Sequence, residues 1–314
     1  MLSTLRRVLF APVLPNIAAG FVDEAFAVVD LRRRRGGFSL SSSALTQMPA
    51  GLVVPSFDKP NIADPAELAE IILQTAEAAG LANRKRWSVA LPDGGARTVA
   101  VTLESKPGSR RELNEILAWK IERVIGSPSS ELRTSLQRIS PAGGQERYLV
   151  TVVKEEVIAQ YESVFLGLGW QAGLLLPRHL GEAQWLIWDQ APGDKMLVSA
   201  NQSGFTSVVV RNGEPVLIRT SACDESSRGD ELHRFALYYR DRLVNGMAAS
   251  PALTRLLILG GFDRDEAKRA IRDATDSEPR VISPSEFGLG LVGEPIQFDQ
   301  LAGAAGLASI AYLS

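Results

Sequence analysis

Cysteine and histidine are nearly absent from this chain of 314 residues. Cys223 is the single cysteine, and His179 and His233 are the only two histidines. One cysteine cannot form an internal disulfide, and this composition is typical of a reducing compartment. Zinc sites made of cysteine and histidine are excluded, because such sites need about four ligands. Thiol catalysis would require a base beside Cys223, so we expect a structural role for it.

The sequence also has no long apolar segment and no excess of one charge. Residues 8–14 follow Arg6 and Arg7 as in a signal peptide, but Pro12 and Pro15 interrupt the pattern. Because a membrane-spanning helix needs about 20 apolar residues, we expect neither a span nor a cleaved signal, and a cytoplasmic location. The 34 basic and 36 acidic residues nearly cancel, which argues against a nucleic-acid-binding protein.

The C-terminal part of the chain has a clear pattern of strands and helices. Residues 196–220 predict three strands, and Asn212-Gly213 is typical of the turn in a β-hairpin. Apolar periodicity then predicts, in order, a helix at 231–243, a strand at 256–259, a helix at 264–274, a strand at 280–282 and a helix at 301–312. This order resembles one lobe of the actin and ribonuclease H type of fold.

A poorer copy of the same order is found in residues 18–80 together with 173–190. We therefore predict an α/β, two-lobed fold with an inserted α+β subdomain between the two parts of the first lobe. The predicted boundaries are 1–85 for the first part of lobe 1, 86–175 for the inserted subdomain, 176–195 for the remainder of lobe 1, and 196–314 for lobe 2 with its C-terminal helix.

Several segments resemble the PilM family, the actin-like cytoplasmic proteins of type IV pilus assembly, and more distantly the cell-division protein FtsA. They follow the family's order along nearly the whole chain, at residues 49–53, 87–92, 112–123, 231–239, 257–261 and 301–308. The resemblance implies an actin-like, duplicated ribonuclease H-like fold. It also implies a protein at the inner face of the inner membrane that binds the cytoplasmic tail of a PilN-like membrane protein.

The two phosphate-binding turns of the family are altered in this sequence. Each family turn carries an aspartate and, two residues later, a glycine, and these positions are Gly20 and Val22 in the first turn and Ser199 and Asn201 in the second. Glycine supplies no carboxylate for a hydrated magnesium ion, and a side chain at the second position obstructs the backbone amides. Asp23 could serve as the acid only in a shifted register, which would break the alternation of the strand.

A family subdomain that covers the nucleotide base is also expected to be missing, because only a short segment joins Arg219 to Glu231. Gly260 and Gly261 could contact a base or form a tight turn after a strand, and we favour the turn. Gly303 and Gly306 are expected to let the last helix pack closely on the sheet. We therefore predict a degenerate nucleotide site, with no catalytic residue, no metal and no bound cofactor.

The leading hypothesis is a non-catalytic scaffold of a type IV pilus-type machine that binds a PilN-like tail. The family places this tail in a groove between the inserted subdomain and the first lobe, so Trp119, Lys120 and Arg123 on the helix of the insert are the residues to test. Each of them could equally face a subdomain junction or solvent.

Two alternatives share the fold. The first is an ATPase that binds magnesium ATP through Asp23 or Glu24, with Ser203 or Thr206 as hydrogen-bond donors. The second is the cytoplasmic platform protein of a type II secretion system. The sequence does not distinguish a pilus from a secretion context, and it does not give the oligomeric state.

Overall fold

The computed structural model describes residues 14–142, 145–244, 252–287, 289 and 298–313. The strands in these ranges are β1 Ile17–Val22, β2 Ala25–Arg34, β3 Gly37–Gln47, β4 Arg86–Leu91, β5 Arg97–Thr102, β6 Leu132–Ala142, β7 Gln145–Lys154, β8 Gln171–Pro177, β9 Asp194–Asn201, β10 Gly204–Arg211, β11 Glu214–Ala222, β12 Leu253–Leu259 and β13 Arg280–Val281. The helices are α1 Pro65–Ala78, α2 Arg110–Ile125, α3 Glu155–Gly167, α4 Arg178–Trp188, α5 Arg228–Tyr239, α6 Arg264–Thr275 and α7 Phe298–Ser309.

Two five-stranded sheets share one arrangement, which confirms the predicted duplication. The first sheet has the order β3-β2-β1-β4-β8 and the second has the order β11-β10-β9-β12-β13. In each sheet the three strands at one edge, β3-β2-β1 or β11-β10-β9, are antiparallel. The two remaining strands continue the sheet in parallel, as β1-β4-β8 and β9-β12-β13. Parallel addition requires a crossover connection, and helices precede β8, β12 and β13 along the chain.

The first hairpin of the chain lies within residues 17–34. A tight turn at Asp23 and Glu24 divides it into β1 and β2. Asp23 has a φ of 48°, in the left-handed region that a short polar side chain can adopt. A second hairpin turn, at Arg35 and Gly36, joins β2 to β3.

The inserted unit contains the three-stranded sheet β5-β7-β6 with α2 packed on one face. Ser109 accepts a hydrogen bond from the backbone N–H of Glu112, and Gly126 ends α2 in the left-handed conformation. The strand predicted to open this unit, β4, instead pairs with β1 in the first sheet, as β8 pairs with β4. The prediction missed this because a fully buried parallel strand has no alternating pattern to indicate its sheet.

Helices α4 and α7 form a layer between the two five-stranded sheets. Their apolar side chains share one core with residues of both sheets, such as Val29 and Val208. A Cβ on Gly306 would overlap the carbonyl oxygen of Gly181, so the two helix backbones are nearly in contact. The predicted close packing of Gly303 and Gly306 is therefore mainly against α4 rather than against the sheet.

Within the described ranges, no helix combines the length and the apolar character needed to cross a bilayer. The basic and apolar head at residues 1–13 lies outside the described residues.

Candidate functional site

The turns after β1 and β9 lie at the same end of the molecule and face each other across a cleft between the lobes. A cavity of about 280 Å³ is lined by Asp23 and Glu24 from the first turn and by Asn201 and Ser203 from the second. A neighbouring cavity of about 320 Å³ is lined by Val22, Asp23, Gly260 and Gly261 among others. The structure thus brings these predicted positions to one place, whereas Gly20 and Ser199 lie beneath the surface of the cleft.

Gly20 lies in the middle of the first sheet, against α7. A Cβ built on Gly20 would lie 3.1 Å from the Cβ of Ala304 and 3.3 Å from the Cβ of Ala90. These distances are shorter than ordinary van der Waals contacts, so even one methyl group would force its neighbours to move. A carboxylate at this position would require a larger displacement of α7.

Ser199 is fully buried and bonded to an arginine that the sequence analysis did not single out. The Nη2 atom of Arg178 donates to Ser199 Oγ at 3.0 Å and to the carbonyl oxygen of Ala200 at 2.9 Å. Arg178 is the first residue of α4, and its side chain is 3% exposed. A guanidinium group therefore lies beside Ser199, the position that the resemblance aligns with the aspartate of the second turn.

Arg178 belongs to a buried cluster of four ionisable groups. Its guanidinium is 3.4 Å from Asp93 Oδ2 and 3.2 Å from Glu182 Oε1, which follows one helical turn later. The imidazole of His179 bonds to Asp93 through Nδ1 at 2.8 Å and to Thr98 Oγ1 through Nε2 at 3.2 Å. The cluster joins the end of β4, the start of α4, the inserted unit and β9.

The pKa values of the two acids of this cluster are shifted in opposite directions. Burial by itself raises the pKa of Asp93, but the charges of Arg178 and His179 and the hydrogen bond to His179 outweigh it and lower this pKa. Burial raises the pKa of Glu182, and the charge of Arg178 offsets this only in part. Arg178 itself stays charged, because the surrounding carboxylates outweigh its burial and raise its pKa.

The charge of the cleft is unfavourable for a nucleotide. Among the described residues, the lining of the 280 Å³ cavity contains three carboxylates, those of Asp23, Glu24 and Asp93, and the single guanidinium of Arg178. Arg178 is already paired with two acids, so it cannot compensate a phosphate group without losing them. In the part of the chain that the structure describes, no group of three or more His, Cys, Asp or Glu side chains is placed to hold a metal ion.

The two glycines after β12 serve a tight turn. Gly260 has a φ of 74°, and a Cβ at this position would overlap the carbonyl oxygen of Ala200 in the neighbouring strand β9. Its N–H donates to Asp299 Oδ2 at 3.0 Å, which ties the turn to α7. Gly261 has a φ of 75° and open space around it. The close approach of two backbones explains why Gly260 lacks a side chain.

The connection between β11 and α5 is as short as the sequence predicts, and it contains a single 3-10 turn, Glu225–Ser227. The chain has no room there for a folded subdomain.

Cys223 lies just before this turn, partly buried, and burial together with the nearby charge of Glu231 raises its pKa. A raised thiol pKa keeps the sulfur protonated and unreactive, in line with a structural role.

Of the three predicted partner-binding residues, Trp119 and Lys120 line a groove of about 440 Å³ on the inserted unit. Trp119 is 56% exposed, Lys120 is 3.4 Å from Glu104, and the guanidinium carbon of Arg123 lies 5.5 Å from the centre of the Trp119 ring. Arg123 lies over the face of the indole and does not line the groove. The lining runs from Leu103 to Lys120, all within the insert, so this groove does not lie at the predicted junction with the first lobe.

Comparison with known proteins places the fold. No family model matches the chain, and no curated protein matches it in sequence. Among solved structures, the chain is similar to the "PilM-PilN type IV pilus biogenesis complex", with a TM-score of 0.76, 17% identity, and coverage of 96% of this chain and 100% of that chain.

Two other solved structures are less similar. The cytoplasmic domain of EpsL, an inner membrane component of the type II secretion system of Vibrio cholerae, matches with a TM-score of 0.48, 13% identity, and coverage of 95% of this chain and 94% of that one. A protein of unknown function with an actin-like ATPase fold from Bacteroides thetaiotaomicron matches with a TM-score of 0.49, 9% identity, and coverage of 85% and 90%. The similarity to the PilM-PilN structure, with its TM-score of 0.76, shows that the chain has the PilM-like fold that the sequence predicts.

Proposed function

We propose that this protein is a non-catalytic scaffold of a type IV pilus-type assembly machine, and that it binds the cytoplasmic tail of a PilN-like inner-membrane protein. It would work in the cytoplasm, held at the inner membrane by that tail. The similarity to the PilM-PilN complex over the whole chain supports the assignment to such a machine. Arg178 bonds to Ser199 and Ala200 beneath the cleft, and these bonds are the main observation against catalysis.

Phosphoryl transfer needs a positioned metal and hydrogen-bond donors around the transferred phosphate. Beneath the surface of the cleft, Gly20 packs against Ala90 and Ala304, and Arg178 lies beside Ser199. The positions that would hold a metal and its water are thus occupied by apolar carbon and by a cation. We therefore propose that neither ATP nor magnesium is needed for the function of this protein.

The groove beside Trp119 supports a peptide as partner. An exposed tryptophan, held by a neighbouring arginine above a partly apolar groove, has the character of an interface anchor. Glu104, Glu115 and Lys120 line the same groove as the indole. A short segment with an apolar side chain and a nearby basic group would complement this lining.

Titration with a synthetic tail of a PilN-like protein tests the proposal. We expect binding by the wild-type protein, and a loss of about 30-fold in affinity for Trp119→Ala, since truncation of a central tryptophan costs about 2 kcal/mol. Leu166→Ala is a matched control, because Leu166 is 71% exposed on α3 and lies outside the groove. If the folded protein does not bind the tail, or if both variants lose affinity equally, the assigned surface is contradicted.

Calorimetry with magnesium ATP separates the scaffold from the ATPase alternative. Asp23, Glu24 and Ser203 do line the cleft, but Thr206 is fully buried and its hydroxyl bonds to Thr220 at 3.0 Å. We expect no heat of binding. Micromolar affinity that disappears in Asp23→Asn would overturn the non-catalytic proposal, and a copurified membrane partner would distinguish a pilus from a secretion machine.

A further inference from the structure

A second cavity, of about 410 Å³, lies between the lobes at the opposite end of α4 from the cleft. Arg178 begins this helix at the cleft, whereas Trp188 ends it at the second cavity. The other walls are the β2–β3 turn of the first lobe and, in the second lobe, residues of β12 and of the segment from β13 to Phe287. We call this space the arginine cavity.

The lining of the arginine cavity carries an excess of positive charge. Its charged members are four arginines and two acids: Arg33, Arg34, Arg255, Arg280, Asp189 and Glu286. The two acids are paired, Asp189 with Arg255 at 3.6 Å and Glu286 with Arg280. Among the described residues, no carboxylate pairs with Arg33 or Arg34, so two positive charges of the lining remain uncompensated.

Arg33 is held in place by groups that do not neutralise it. Its guanidinium carbon lies 5.3 Å from the centre of the Trp188 ring, and its Nη1 donates to the carbonyl oxygen of Tyr312 at 3.3 Å. The aromatic rings below are packed together, with Phe38 5.1 Å from Trp188 and Trp185 5.3 Å from Phe287. A guanidinium stacked on a fixed indole keeps its remaining N–H donors available and loses little freedom when it binds an anion.

We propose that the arginine cavity binds a phosphate group and that the bound phosphate bridges the two lobes. A phosphate monoester carries a charge of about −1.5 to −2 at neutral pH, which matches the two uncompensated guanidinium groups. Its oxygens can accept from Arg33 of the first lobe and Arg255 of the second at the same time, because Arg255 meets Asp189 only through Nε at 3.6 Å, beyond hydrogen-bond distance, and guanidinium forks suit phosphate oxygens. The volume leaves room for more than a bare phosphate, so the ligand is a phosphorylated small molecule or a phospholipid headgroup.

Three probes distinguish the sources of phosphate: inorganic phosphate, glycerol 3-phosphate, and vesicles of phosphatidylglycerol in phosphatidylcholine. Tryptophan fluorescence reports binding directly, because Trp188 lies under Arg33. We expect at least one probe to bind the wild-type chain and to bind at least about 10-fold more weakly to Arg33→Gln, since a charge-assisted hydrogen bond contributes about 1.5–3 kcal/mol. The double variant Arg33→Gln/Arg255→Gln should lose measurable binding.

Arg35→Gln is the matched control, because Arg35 is exposed in the same turn but does not line the cavity. This variant loses the same charge and should bind as the wild-type protein does. Binding of glycerol 3-phosphate identifies a soluble ligand, and binding of vesicles alone identifies a lipid headgroup. If none of the three probes binds at millimolar concentration, or if Arg33→Gln and Arg35→Gln lose affinity equally, the proposal is overturned.

Discussion

Replacing Arg178 by methionine tests whether the buried ionic cluster connects the two lobes. Methionine retains much of the volume of the side chain but removes its charge and its donors. The substitution breaks the bonds to Ser199 and Ala200 and leaves the carboxylate of Glu182 without its cation. Asp93 keeps the imidazole of His179 at 2.8 Å.

The expected cost follows from the burial of the remaining groups. Arg178 and Glu182 are 3% and 1% exposed, so water cannot replace the lost partner without a rearrangement. Removing one member of such a buried pair typically destabilises a protein by about 3–5 kcal/mol, because an uncompensated charge stays buried. That is a large share of the roughly 5–15 kcal/mol that stabilises most folded domains.

Urea unfolding followed by tryptophan fluorescence measures the effect. Arg84→Met is the control, because Arg84 is half exposed and pairs with Asp30 at only 3.8 Å, so its loss should cost less than about 1 kcal/mol. Adding Glu182→Gln to Arg178→Met should recover about 1 to 2 kcal/mol by removing the orphaned carboxylate. A cost for Arg178→Met no larger than that for Arg84→Met would refute the reasoning.

Three further predictions concern single positions. Gly20→Asp should lower the free energy of unfolding by several kcal/mol more than Gly20→Ala, since both meet Ala304 but only aspartate buries a charge there; chemical denaturation of the two variants compares them. Burial raises the pKa of Glu182 above 4.5, so wild-type stability should fall relative to Glu182→Gln as the pH rises from 4.5 through the raised value, and parallel curves would contradict this. Gly260→Ala should cost at least about 3 kcal/mol of stability, because a Cβ overlaps the Ala200 carbonyl. Gly261→Ala should cost about 1 kcal/mol, because Gly261 has a similar φ but open space around it. Equal melting temperatures of the two variants would contradict the close approach at Gly260.

The order of elements and the duplicated fold could be predicted from the sequence, because they depend on local signals. The Asn212-Gly213 turn, the Asp64 cap before α1 and the apolar stripe of α2 each involve residues within a few positions of one another. The phosphate-loop positions were instead identified through the resemblance to the PilM family, and the structure places Val22, Asp23 and Asn201 on the cleft. Whether those positions still bind a nucleotide stays a prediction.

Only the tertiary structure decided what occupies the cleft and where the unpaired arginines lie. Arg178 is 21 residues from Ser199 along the chain, and His179 is 86 residues from Asp93, so no local pattern joins them. Arg33, in the arginine run at 32–35, stacks on Trp188 and shares a cavity with Arg255, and no local pattern predicts either contact.

Periodicity in a sequence records which face of a helix or strand is buried. It carries no information on which distant side chain is packed against that face. The sequence by itself thus determined the two lobes of this protein, and the loss of the phosphate-loop acids stays a prediction from the resemblance. The packing of α4 and α7 between the sheets decided where the arginines lie. Arg178 lies at the cleft, and the uncompensated Arg33 and Arg34 line the arginine cavity at the opposite end of α4.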